Sequence, residues 1–279
     1  MEETQPWILN FFQLPQALSD DEVSSSLQVL CYLLFSNEDT AARVFDVVDL
    51  LTEGTFETLY MVFLSSFFTI LFGLPLGVIL TITKKNSLLS APTFNKILGM
   101  IVNTIRSFPF IVLIVALLPI SKMLIGTSIG PDAASFALSI AAIPFVARLF
   151  EGALEEVNHG IIEATLSMGA SKLEVIFMMI AESLPSLINA ATIAIIAIIG
   201  FSAMAGSVGG GGLGDLAIKY GFYDSRLDVL YSCVIVLIIM VQCVQSIGDY
   251  LSRILRTHQY GILTPIVHFV YRICGRTQK

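Results

Sequence analysis

The run Gly209-Gly210-Gly211-Gly212-Leu213-Gly214 satisfies the G-x-G-x-x-G spacing that lets backbone amides approach a dinucleotide pyrophosphate. That chemistry needs a strand before the glycines, a helix after them and an acid about twenty residues on. Here the run closes a long apolar segment, so its glycines serve tight backbone turns at the mouth of that segment. No G-x-x-x-x-G-K-[ST] occurs, so any ATP that drives this protein is bound by another chain. The three histidines, His159, His258 and His268, lie outside the apolar segments and form no HExxH. Cys31, Cys233, Cys243 and Cys274 make no CxxC or metal-like spacing and read as packing thiols. No catalytic residue, metal site or cofactor is expected in this chain.

The elements that must position whatever function remains are membrane helices. Of the 279 residues 55% are hydrophobic and 13% charged, against about 25% charged in soluble domains; mean hydropathy is +0.82. A span needs about 20 mostly apolar residues. Five segments qualify: 58–83, 98–121 (reached through Arg106), 133–150 (ending through Arg148), 183–214 and 229–248. The predicted fold class is an all-α integral membrane protein with five spans in the bilayer. Residues 1–57 hold eleven of the 22 acids and one base, Arg43. The rest is mildly basic with no basic face, which excludes nucleic acid as a partner. The start has no positive region of a secretory signal, and nothing in it reads as cleaved. The chain divides into an acidic leader over 1–53, a membrane domain over 54–256 and a tail over 257–279, whose Ile262–Cys274 stretch suits a membrane surface.

Lys and Arg favour the cytoplasmic side of short loops. With five spans, eleven bases fall on one side, among them Lys84, Lys85, Lys96, Arg106, Arg148, Lys172 and the tail, and four on the other. The N-terminus is therefore placed outside, and the C-terminus and the long 151–182 loop in the cytoplasm. Arg106 lies about 15 Å along a helix from Lys96, and is read as snorkelling back or pairing with an acid on the face that carries Arg148, Glu151 and Glu155. Pro109 marks a bend in the second span. Gly73 and Gly77 form a GxxxG, and Ala190, Ala194 and Ala197 a small stripe; both should touch other helices, of this chain or of a second copy.

In the cytoplasmic loop stands Glu163-Ala164-Thr165-Leu166-Ser167-Met168-Gly169-Ala170-Ser171. It resembles the Glu-Ala-Ala, three residues, Gly motif of ABC importer permeases. Ala164 and Gly169 leave a low surface, and Glu163 is placed at a helix start, where the macrodipole favours its charge. Further segments are similar to methionine-uptake permeases: Asn103 to Phe110, Gly126 to Gly130, Pro144 to Arg148, Asn189 to Thr192, and Phe201-Ser202-Ala203-Met204-Ala205-Gly206. The likeness covers about residues 54–256. Thr165 departs from the second Ala, and Leu184-Pro185 comes later than the family's Ile-x-Leu-Pro.

The resemblance implies a type I importer permease fold in a bacterial cytoplasmic membrane. It implies a homodimer, two cytoplasmic ATPase subunits docked on a coupling loop over about 157–182, and an external binding protein that delivers methionine. Glu163, Ala164, Thr165, Gly169, Ala170 and Ser171 would form the docking loop. Met204, flanked by small residues, would close a pathway gate with Phe201, Ser202 and Gly206, unless it packs inside its own bundle. Competing readings are an importer of another small amino acid and an ATP-independent transporter or channel. The latter wants internal repeats and midplane charges, which the last two spans lack.

Overall fold

A charge-free segment in hydrocarbon must satisfy its own backbone hydrogen bonds, which makes it helical. The computed structural model describes residues 38–258, and among these there is no strand. The leader before residue 38, and the tail beyond 258 with the interfacial reading of Ile262–Cys274, lie outside the described residues, as do Cys31, Cys274 and His268. Nine α-helices follow one another among the described residues: α1 Glu38–Ile82, α2 Pro92–Ser107, α3 Phe110–Ile125, α4 Pro131–Glu155, α5 His159–Ser167, α6 Lys172–Glu182, α7 Leu184–Gly206, α8 Gly212–Leu216 and α9 Leu227–His258. A π-helical turn, Ala217–Tyr223, links the last two. Proline opens α2 and α4, where a missing N–H costs nothing.

Four helices, α1, α4, α7 and α9, are long and apolar enough to cross a membrane. The second predicted span is not one rod: α2 and α3 meet at 101° around Phe108 and Pro109. Pro109 cannot donate to the ladder and pushes Phe108 into extended backbone at ψ 137°, which ends α2. The first helix also begins before the predicted span and passes the 53/54 boundary without a break. Its N-terminal part is held by packing, with Val47 and Leu51 against buried Leu213, Val229 and Cys233, and by Asp46 accepting from Arg226 at 2.7 Å.

The core lies where α1, α4 and α7 meet. A Cβ on Gly77 would stand 2.8 Å from the Ala147 carbonyl oxygen and one on Gly73 3.1 Å from Val146. The GxxxG seam therefore seats α1 on α4 of the same chain. Ala190 and Ala194 of the small stripe pack with Val146, Phe150 and Leu154, again within one chain.

Candidate functional site

The loop between α4 and α7 is two short helices joined by a tight corner. Asn158 Oδ1 accepts from the Gly160 N–H at 2.8 Å and starts α5. At its far end the Gly169 N–H donates to the Leu166 carbonyl at 2.9 Å and the Ala170 N–H to the Thr165 carbonyl at 3.4 Å, the pairing of a Schellman stop. Gly169 has φ +88° with open space where a Cβ would be. The left-handed backbone by itself requires this glycine. Ser171 then opens α6 with a capping box: its N–H donates to Glu174 Oε2 at 2.6 Å, and its Oγ accepts from the Glu174 N–H at 3.4 Å. Glu163 sits in the middle of α5, whose first turn holds no acid. Its predicted interaction with the helix start does not arise.

What the loop presents outward is mixed, with large apolar side chains standing among exposed Glu163, Ser167, Ser171 and Lys172. Met168 is 80% exposed and Leu173 65%, with Ile161 and Leu166 also open. The hydroxyls of Thr165 and Ser167 are spent on the carbonyls of Ile161 and Glu163. Beneath, Val157, Val175 and Met179 are buried with Ile162, Ala170 and Leu88 against them, so the two short helices pack on each other and on the segment after α1. Sequence reasoning missed Met168 and Leu173; the signal was two large apolar residues flanking a helix stop.

At the other end of α7 the four residues read as a gate do not share one face. Ser202 is buried and donates to the Ile199 carbonyl at 2.8 Å. Gly206 lies against the backbone of Gly214 and Asp215. Phe201 stacks on Phe110 and meets Phe145 edge-on at 6.2 Å. Met204 alone points out of the bundle, 49% exposed. The glycine run after it turns at Gly209, Gly211 and Gly212, with φ +84°, +81° and +75°. It is tied to α1: the Gly212 N–H donates to Glu57 at 2.6 Å and the Leu213 N–H to Thr58 at 2.9 Å. Nearby, the Asp215 carboxylate 2.5 Å from Lys219 holds that ammonium above its ordinary pKa.

At the opposite end of α4, Glu151, 4% exposed, meets Arg148 at 2.6 Å and Lys84 at 2.8 Å; Lys84 also meets Glu155. Arg148 donates to the Gly99 carbonyl at 3.0 Å, which pins α2 to α4. Arg106 makes no ion pair among the described residues; its guanidinium lies 6.0 Å from the Phe145 ring centre. Among the described residues no three His, Cys, Asp or Glu side chains gather to hold a metal.

A broken span, a small-residue helix core and four helices long and apolar enough to cross a membrane define a multi-pass membrane protein. The chain belongs to the family of binding-protein-dependent transport system inner membrane components, which it matches over residues 73–257. It is 50% identical to a probable D-methionine transport system permease protein of Vibrio cholerae over 74% of this chain and 92% of that one. It is 44% identical to the methionine import system permease protein of Bacillus subtilis over 76% and 97%. An inward-facing structure of the MetNI methionine ABC transporter matches with TM-score 0.72 and 41% identity over 73% of this chain and 95% of that chain. An amino acid ABC transporter crystallised with histidines shares the fold, at TM-score 0.63 and 20% identity.

Proposed function

We propose that this chain is the permease subunit of an ATP-driven methionine importer, working as a homodimer with two cytoplasmic ATPase subunits and an external binding protein. The observation that carries the coupling half of this reading is the α5–α6 loop. A rigid corner with Met168 and Leu173 largely exposed is an apolar patch in want of a partner. Residues Glu163 to Ser171 form that docking surface, with the Schellman stop and capping box fixing its shape. Closure of the ATPase pair pushes the two loops of the dimer together, and the helices seated on them turn the pathway outward. ATP is bound by the partner. The methionine half is supported by the identity to permeases so described in Vibrio cholerae and Bacillus subtilis.

Met204 is proposed as the pathway seal. It is exposed on one copy, flexible, and flanked by Ala203 and Ala205, so two copies meeting there close a narrow opening. The N-terminus is outside and the α5–α6 loop inside, as the basic residues demand. The test is growth of a methionine auxotroph without other methionine uptake routes, carrying this chain with its ATPase and binding protein. Growth on low methionine is expected. Growth only on another amino acid requirement would replace methionine, and growth without the ATPase would remove the ATP-driven mechanism.

A further inference from the structure

Between α1 and α4, two of the helices long enough to cross a membrane, lies a groove of about 470 Å³. At its mouth the Tyr60 hydroxyl donates to Asp132 Oδ1 at 2.7 Å and ties the two helices together. From there the groove runs along both helices to Phe72 and Ile143, about 17 Å at 1.5 Å per residue. Ser135 and Ser139, buried and one turn apart, make a narrow floor; Phe68 and Phe72 wall one side, Phe136 and Ile140 the other. Both serine hydroxyls donate at 2.6 Å to carbonyls of their own helix, those of Pro131 and Ser135. The interior is therefore apolar, and the open polar group stands at the rim.

The mouth lies where the charges stop. Glu57 is the last acid of α1 before a charge-free run that reaches Ile82, and Asp132 is the acid in the first turn of α4. The groove thus descends from a membrane boundary through about the depth of one leaflet, half of a hydrocarbon layer roughly 30 Å thick. Its volume over that length gives a width of about 6 Å. A helix with its side chains, about 10–12 Å across, does not enter. A single polymethylene chain, whose carbons pack about 4 Å from their neighbours, does, and it supplies the contacts that an unfilled groove would forfeit. Asp132 is exposed and meets no cationic side chain among the described residues. We propose that this groove is a phospholipid site: one acyl chain lies over Ser135 and Ser139, and a primary ammonium headgroup meets Asp132. Tyr60 occupies one carboxylate oxygen and leaves the other to the N–H donors of the ammonium. An amphipathic tyrosine at that level suits the headgroup boundary.

The test places the full-length permease in vesicles of equal parts phosphatidylethanolamine and phosphatidylglycerol. Each lipid in turn carries a photoactivatable diazirine near the end of one acyl chain, and the adducts are located by peptide mass spectrometry. Adducts should gather around Phe72 and Ile143, about fivefold above those on the exposed Ile235 and Ile239 of α9. The phosphatidylethanolamine probe should exceed the phosphatidylglycerol probe there. Asp132→Asn, which keeps an acceptor for Tyr60 and removes the charge, should abolish that preference. Ser139→Leu, which fills the floor, should lower groove adducts about fivefold and leave those on α9 unchanged. Equal labelling of the groove and α9 means annular lipid only and overturns the proposal. So does a headgroup preference that is absent from the parent or survives Asp132→Asn, or a Ser139→Leu protein labelled like the parent. Disulfide-linked dimers through Phe68→Cys in a chain freed of its own cysteines would show a second copy over the groove, and also overturn it. The parent pattern and the Asp132→Asn comparison decide the matter even where Ser139→Leu fails to insert.

Discussion

The ring of Phe110 lies on that of Phe201, centroids 3.7 Å apart and planes 15° from parallel. One ring opens α3 just after the break at Pro109, and the other stands one turn before Met204 on α7. The stack thus joins the broken span to the helix that carries the proposed seal. Phe201→Ala should cost about 2–3 kcal/mol, a half-buried aromatic plus its stacking, read as a lower melting temperature of the purified permease. Met204→Ala should cost less than about 1 kcal/mol, since its side chain is half exposed. It should instead raise solute leak or ATP hydrolysis in the absence of amino acid. A tight but destabilised Met204→Ala protein would place the seal elsewhere.

Docking through the α5–α6 corner is tested by charge on its apolar face. Met168→Asp and Leu173→Asp remove exposed apolar contact without touching the seat formed by Val157, Val175 and Met179. Each should reduce ATPase co-purification at least tenfold while the permease remains inserted. Gly169 is a poor site for this test, because any side chain there carries left-handed backbone strain of about 1–2 kcal/mol.

Removing the buried carboxylate at Glu151 leaves Arg148 and Lys84 facing one another. Glu151→Ala should cost about 3 kcal/mol, the low end for breaking a buried pair because Lys84 keeps contact with water. Thermal unfolding in detergent measures it. Unchanged stability would mean that Lys84 and Arg148 find equal partners without Glu151.

Orientation is tested by single cysteines at Lys172 and Asp224, both exposed, in a chain freed of its own cysteines. An impermeant thiol reagent added to intact cells should label the Asp224 position and not the Lys172 position. The reverse pattern would invert the topology.

Much of this architecture was legible as periodic or charge-free sequence. Runs without charge located α1, α4, α7 and α9, because hydrocarbon leaves a chain few alternatives to a helix. Pro109 announced a bend, but its 101° depends on what α2 and α3 pack against, which spacing does not encode. The loop was found by its motif, yet the reason for Gly169 is a positive φ, and Glu163 falls mid-helix because Asn158 starts α5 earlier than the motif suggests. The link from Glu57 to Gly212 joins residues 155 apart, and no local pattern carries such a contact. Phe201, Ser202, Met204 and Gly206 were grouped because they are neighbours in sequence. On a helix Ser202 and Gly206 share one face and Phe201 and Met204 a different one, and of the four only Met204 is exposed.

The central claim, that this chain couples ATP hydrolysis on a partner to methionine import, is met most directly by uptake into proteoliposomes. Permease, ATPase and binding protein are reconstituted, and radiolabelled methionine is followed with ATP, without ATP, and with each subunit omitted in turn. Accumulation that needs ATP and all three components, and that is not displaced by a hundredfold excess of a dissimilar amino acid, is predicted. Methionine accumulation without ATP or without the ATPase, or ATP-dependent uptake of other amino acids with none of methionine, would contradict it.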